Sequence, residues 1–162
     1  MERNPGFNTG VITVRARVSD GVKQVANVGG TGRGYEKLHT FSADERELLG
    51  GTNQAPAPLE YFVAGLNFCF QSTLVFNASS RGLRYDSIET TAKAYFNRRG
   101  IYVEGDPSFT RISFQVDIKS PETEDSIRRL IETTEKSCCV HTTLSKAVPI
   151  ETKVLLNGQA LI

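Results

Sequence analysis

At 162 residues the chain suits one domain with its own core. Its 19 Lys and Arg against 18 Asp and Glu leave a formal charge of +1. No block of five like charges occurs, which excludes the footprint of a nucleic-acid binder or a polybasic membrane anchor. Three cysteines, two of them adjacent, do not make a disulfide framework; they suit reduced thiols inside a cell. The start, Met1 to Gly6, lacks a basic segment followed by an apolar one, so a cytoplasmic protein is expected.

Val11 to Val18 alternates apolar and polar residues and predicts a half-buried strand. Ser19-Asp20-Gly21 has turn chemistry, and Lys23 to Val28 reads as the returning strand. Gly29 to Gly34 reads as a flexible connector. Its Gly30-x-Gly32-x-Gly34 spacing leads into a strand pattern, Tyr35 to Ala43, and not into a helix whose N-terminus could hold phosphate. Residues Asp44 to Ala57 read as irregular.

Tyr61 to Ser80 then carries no charged residue, in a chain that is 23% charged. Pro56, Pro58 and Glu60 before it and Arg81-Gly82 after it are helix start and stop signals, predicting one helix of about 24 residues, roughly 36 Å long. Asn67, Gln71, Ser72, Thr73, Asn77, Ser79 and Ser80 make it too polar for lipid, so a central helix covered by protein on most sides is expected.

Ile88 to Phe96 and Phe109 to Ile118 alternate as two further strands, with Arg98-Arg99-Gly100 and Gly105-Asp106-Pro107 as the bend and turn between them. Ser120-Pro121-Glu122 marks a helix start with a capping serine. Ile127, Leu130, Ile131 and Thr134 continue at helical spacing to about Ser137. A helical turn over His141 to Ala147 and a last strand, Ile150 to Leu156, complete an α+β layout with mainly antiparallel pairing. Cys138 and Cys139 are too close for a usual ligand pair, and His39 and His141 lack partners at ligand spacing, so no metal is expected.

Three stretches resemble the OsmC/Ohr family of thiol-dependent organic hydroperoxide reductases. They are Glu47 to Thr52 with Ala55-Pro56-Ala57-Pro58-Leu59-Glu60; Tyr61 to Cys69; and Glu135-Lys136-Ser137-Cys138-Cys139-Val140-His141, followed by Val148 to Glu151. The resemblance implies a single domain over residues 1–162. Its N-terminal strands would span about 10–44, its central helix about 58–81, and its C-terminal strands and helix about 87–157. It also implies an antiparallel sheet wrapped around the buried central helix in an intertwined homodimer.

As to function, the resemblance implies Cys69 as the peroxide-attacking thiol and Cys138 as the resolving thiol, with no cofactor. The implied substrate is a small organic hydroperoxide, reduced at the expense of a dithiol, of lipoyl type. Phe62, Leu66, Phe68, Phe70 and Phe76 would supply the apolar surround. The carboxylate and arginine of the family's site map to Glu60 and to Arg33, with Arg15 and Arg17 as alternatives. Glu60 is equally an acid favoured by a helix N-terminus. Leu59 stands where the reductases carry glutamate, ten residues before the reactive cysteine, and Cys139 stands where the family has proline. These departures keep open a second reading, a non-catalytic ligand-binding or structural homodimer.

Overall fold

The computed structural model describes residues 11–31, 37–97, 107–147 and 150–161, which divide into two compact units meeting in sequence at Tyr61 and Phe62. In the first unit β1 (Val11–Asp20), β2 (Lys23–Thr31) and β3 (His39–Ala43) form an antiparallel sheet in the order β1-β2-β3. The β1/β2 hairpin is tighter than expected: Ser19 and Asp20 are strand, and the turn falls on Gly21, in the left-handed region at φ 53°. Gly29 to Thr31 continue β2 opposite Val11 to Thr13 instead of acting as a connector. Residues 32–36, the rest of the glycine-rich stretch, lie outside the described residues.

The alternation of β1 does not produce a half-buried strand. All ten of its residues are exposed, Val14 and Val18 by 60% and 67%. An alternating pattern shows that one face is meant to be covered, and among the described residues β1 is left exposed on both faces.

Between β3 and the long helix the chain is held by a buried carboxylate. Asp44 accepts from the Glu45 N–H (2.9 Å), the Thr52 N–H (3.1 Å) and hydroxyl (2.7 Å), and the Gln54 N–H (3.1 Å). These bonds fold residues 44–54 around it, with a short 3-10 turn at Glu47–Leu49. Gly51 is dictated by the same packing: a Cβ there would sit 1.8 Å from the Glu45 carbonyl oxygen.

Helix α1 (Pro58–Ser80) starts where Pro58 and Glu60 predict. It ends before Gly82, which takes φ 66°. In the second unit β4 (Ser87–Phe96), β5 (Phe109–Lys119), β6 (Ile150–Leu156) and β7 (Gln159–Ala160) form one sheet in that order. Pairing is mainly antiparallel, as expected, and the β5/β6 pair is the parallel exception. Helices α2 (Glu124–Ser137) and α3 (Cys139–Leu144) form the crossover that a parallel pair needs. The cap of α2 is Thr123, whose hydroxyl accepts from the Ser126 N–H, and not Ser120. Ser120 instead donates to the Arg84 carbonyl at 2.7 Å, tying the strand end to the loop after α1.

The core of this unit is Leu66, Phe70, Leu74 and Ala78 of α1, one residue per turn, against Ile112, Phe114, Val116 and Ile118 of β5. Ile127, Leu130 and Ile131 of α2 and Val154 and Leu156 of β6 close it. Within a single chain the cover that α1 is expected to have is partial. Only 17% of its most apolar 18-residue window is buried, and Phe68 and Phe76 remain 65% and 70% exposed. One stripe of the helix packs on the sheet of the second unit, and Phe68 and Phe76 lie off that stripe.

The Asp44 cage yields a pH prediction. Burial pushes the Asp44 carboxyl up, but the bonds from Gln54, Thr52 and Glu45 outweigh it and hold the group down at about 2. An unfolded aspartate titrates near about 3.9, so Asp44 contributes stability that is fully present above that pH and is lost as pH falls towards about 2. Asp44→Asn should lower stability at neutral pH and flatten its fall across this window in denaturant titrations. An acid limb as steep in the variant as in the parent would contradict the cage.

Candidate active site

Helix α1 carries Cys69 near its middle, one position from the buried stripe, and leaves it partly buried. Cys138 occupies the joint between α2 and α3, with extended backbone (φ −73°, ψ 116°) and no solvent exposure. The two sulfurs lie 3.5 Å apart, far apart in sequence but adjacent in the fold. A disulfide needs about 2.05 Å, so a small approach of the two side chains would close the bond.

Cys138 is fixed on both sides. Its N–H donates to the Thr134 carbonyl (2.8 Å) and its carbonyl accepts from the Thr142 N–H (2.9 Å), continuing one helix into the next. Asn77, two turns beyond Cys69, donates to the hydroxyls of Thr134 (3.2 Å) and Ser137 (3.0 Å) and so pins α1 to the last turn of α2. Thr73, one turn beyond Cys69, donates to the Cys69 carbonyl at 2.8 Å. Cys69, Thr73 and Asn77 therefore form one polar stripe beside the apolar one, and it faces the Cys138 joint.

The surroundings of Cys138 favour its protonated form. Burial raises its thiol pKa, and the neighbouring Cys69 thiol adds to that. The His141 backbone N–H and the Thr73 hydroxyl oppose the rise by donating to the sulfur. Cys139, the next residue, is exposed. His141 is buried at 7% exposure, its ring against Phe70 (5.7 Å between centroids) and Phe114 (6.0 Å), and neither ring nitrogen has a hydrogen-bond partner among the described residues.

The remaining expected site residues fall in the first unit or outside the described residues. Glu60 lies in the first unit, at the start of α1, where one carboxylate oxygen accepts from the Ala57 N–H (2.9 Å) and the other from Arg46 (2.7 Å). The Ala57 bond, with Arg46 behind it and burial opposing, lowers its pKa. This is half of a capping box, the structural role a helix N-terminus offers an acid. Arg15 and Arg17 are exposed on β1. Arg33 lies outside the described residues. Among the described residues no three His, Cys, Asp or Glu side chains gather as metal ligands.

Sequence reasoning missed three residues. Arg46 has no spacing signal that would link it to Glu60. Thr73 and Asn77 were legible only as polar content of an uncharged helix. Their positions four and eight residues after Cys69 are the signal that marks them as sharing its face.

The family model described as OsmC-like protein matches residues 51–153. No curated protein matches the sequence. Among solved structures, an OsmC-like protein from Mycoplasma pneumoniae is 18% identical with a TM-score of 0.65, over 96% of this chain and 99% of that one. An organic hydroperoxide resistance protein from Elizabethkingia anophelis is 19% identical with a TM-score of 0.65, over 91% and 96%. An organic hydroperoxide resistance protein, OsmC, from Legionella pneumophila is 16% identical with a TM-score of 0.62, also over 91% and 96%. At these identities the likeness is one of fold.

The Asn77 link should be measurable. Asn77→Ala leaves the buried Thr134 hydroxyl without this donor and should cost about 1–3 kcal/mol in chemical denaturation. A loss below about 0.5 kcal/mol, the scatter of ordinary surface changes, would show that α1 and α2 are held in register by apolar packing alone.

Proposed function

Because this chain belongs to the OsmC-like protein family, we propose that it is a thiol-dependent organic hydroperoxide reductase in which Cys69 attacks and Cys138 resolves. The observation that carries this reading is the 3.5 Å approach of one accessible and one buried sulfur. The chemistry runs in three steps. The Cys69 thiolate attacks one oxygen of a hydroperoxide; the O–O bond breaks, the alkoxide takes a proton and leaves as the alcohol, and Cys69 becomes a sulfenic acid. The Cys138 sulfur then attacks the Cys69 sulfur, expelling the hydroxyl as water and forming a disulfide. A dithiol, of lipoyl type in this reading, returns both cysteines to thiols and leaves as its own cyclic disulfide.

Division of labour follows from exposure. A hydroperoxide can reach the partly buried Cys69 and not the enclosed Cys138, whereas Cys138 is within reach of Cys69 alone. The burial that keeps Cys138 protonated also protects it from the substrate. The reading places the protein in the cytoplasm, as one domain acting with a second copy of itself. Exposed apolar residues in both units support the homodimer: Val11, Ile12, Val14 and Val18 on β1, and Phe62, Phe68 and Phe76 on α1.

One observation favours the second reading, a ligand-binding homodimer without turnover. Both oxygens of Glu60 are engaged by local partners, and Leu59, at the position where the resemblance expects the reductases' glutamate, carries no charge. Turnover discriminates the two readings. With cumene hydroperoxide and dihydrolipoamide, the parent should consume peroxide and Cys69→Ser should lose essentially all of it, since serine forms no thiolate at neutral pH. No turnover in either would move the assignment to the ligand-binding reading, and equal turnover in both would remove Cys69 as the attacking thiol.

The dimer has its own test. Sedimentation at micromolar concentration should give a single dimeric species, and Phe68→Glu with Phe76→Glu should convert it to monomer or unfold it. A folded, stable monomer of the parent would remove the argument from exposed apolar surface.

A further inference from the structure

The sheet of the second unit has two faces of opposite character. Ile112, Phe114, Val116 and Ile118 of β5 face the core with α1, and the alternate residues Arg111, Ser113 and Gln115 face the other way. Register carries the alternation into both neighbouring strands. Lys93 of β4 and Glu151 of β6 stand opposite Ser113, and Lys153 of β6 stands opposite Gln115. These side chains, with Tyr95, line a pocket of about 370 Å³. Half-buried Ser113 and Gln115 form its floor, and exposed residues of β4 and β6 form its walls. The Arg111 guanidinium is held in place, 4.2 Å over the Tyr95 ring and 3.3 Å from the Glu151 carboxylate.

Three cations against one carboxylate leave the pocket a surplus of positive charge. Lys93 and Lys153 have no ion pair among the described residues. The nearest other acids on this face, Glu89 and Asp117, stand opposite each other and not opposite a lysine. A sheet face that serves solubility alone gains by setting opposite charges across strands and loses by setting like charges there. This face instead gathers cations at one end and acids at the other, and cations gathered in a concave site focus their field on an anion.

We infer that the outer face of β4, β5 and β6 is a binding site for a small phosphate ester, with Lys93, Arg111 and Lys153 holding the phosphate over Ser113. Cations brought by three strands to one floor suit a single compact dianionic group better than separated carboxylates. A phosphate monoester carries roughly −1.5 to −2 charges at neutral pH on three acceptor oxygens. Ammonium groups meet it as point charges, a guanidinium as a fork, and the Ser113 hydroxyl as a neutral donor. The pocket has the size of a small-molecule site and leaves room beside the phosphate for an organic group against Tyr95. A long polyanion running along the face would meet Glu89 and Asp117, so the ligand is small. The site lies on the opposite face of the sheet from the α1 stripe and is independent of the peroxide reading.

Two-dimensional amide NMR of the full chain, titrated with glycerol 3-phosphate at fixed ionic strength, tests the inference. Saturable shifts should centre on residues 91–95, 111–115 and 151–153, and succinate, an equal charge on two carboxylates, should bind about tenfold more weakly. Lys93→Gln and Lys153→Gln should each weaken glycerol 3-phosphate about fivefold, the weight of one charged hydrogen bond at an exposed site. Glu151→Gln removes the carboxylate that competes for Arg111 and should tighten binding about threefold. Cys69→Ser should bind as the parent does, so loss of peroxide turnover and loss of this site are separable. No saturation by about 20 mM would overturn the proposal. So would shifts centred elsewhere, succinate binding as tightly as glycerol 3-phosphate, lysine variants that bind like the parent, or weaker binding in Glu151→Gln.

Discussion

The interlock of Leu66, Phe70, Leu74 and Ala78 with β5 sets the rotation of α1 about its axis, and the chemistry of the second unit follows from that rotation. All four are fully enclosed, and Phe70 stacks on Phe114 with centroids 4.8 Å apart. Truncating such an aromatic core residue costs about 3–5 kcal/mol. Slipping the helix by one residue would turn each side chain by about 100°, carry Cys69 away from Cys138 and expose the leucines. Apolar packing thus fixes where a thiol points, and the polar stripe of Thr73 and Asn77 fixes what it meets.

Much of this was legible in the sequence. The start of α1 is written in Pro58 and Glu60, and its end in Gly82, because proline at a first helical turn and glycine past a helix end are demands of backbone geometry alone. Both thiols could be singled out from the resemblance. Other features depend on partners that no local pattern names. Periodicity shows that α1 has apolar residues all round but not which stripe the chain itself covers. Ser120 and Thr123 are both acceptable caps, and the Arg84 carbonyl decides between them by claiming Ser120. The parallel β5/β6 pairing is a matter of topology that strand patterns do not encode. The β6–β7 hairpin went unpredicted although Asn157-Gly158 signals it: both residues take positive φ, 51° and 84°, as a tight two-residue turn requires.

The candidate site was legible in part. Cys69 and Cys138 meet in the second unit, and in the first Glu60 is held by Arg46 and Ala57 at the helix start, a partnership that spacing could not foresee. The apolar residues of β1 and α1 that remain uncovered are a further statement about the fold. Phe68 and Phe76, at 65% and 70% exposure, form apolar surface that calls for a cover. The proposed homodimer supplies that cover and accounts for an uncharged helix in a chain of modest size.

The account's central claim is that Cys69 and Cys138 form one redox pair and Cys139 stands apart. Peptide mapping after one equivalent of cumene hydroperoxide tests it most directly. The account predicts a single linkage, Cys69 to Cys138 within one chain, with Cys139 still open to alkylation. A dominant Cys69–Cys139 linkage, or three free thiols with Cys69 unreacted, would contradict it.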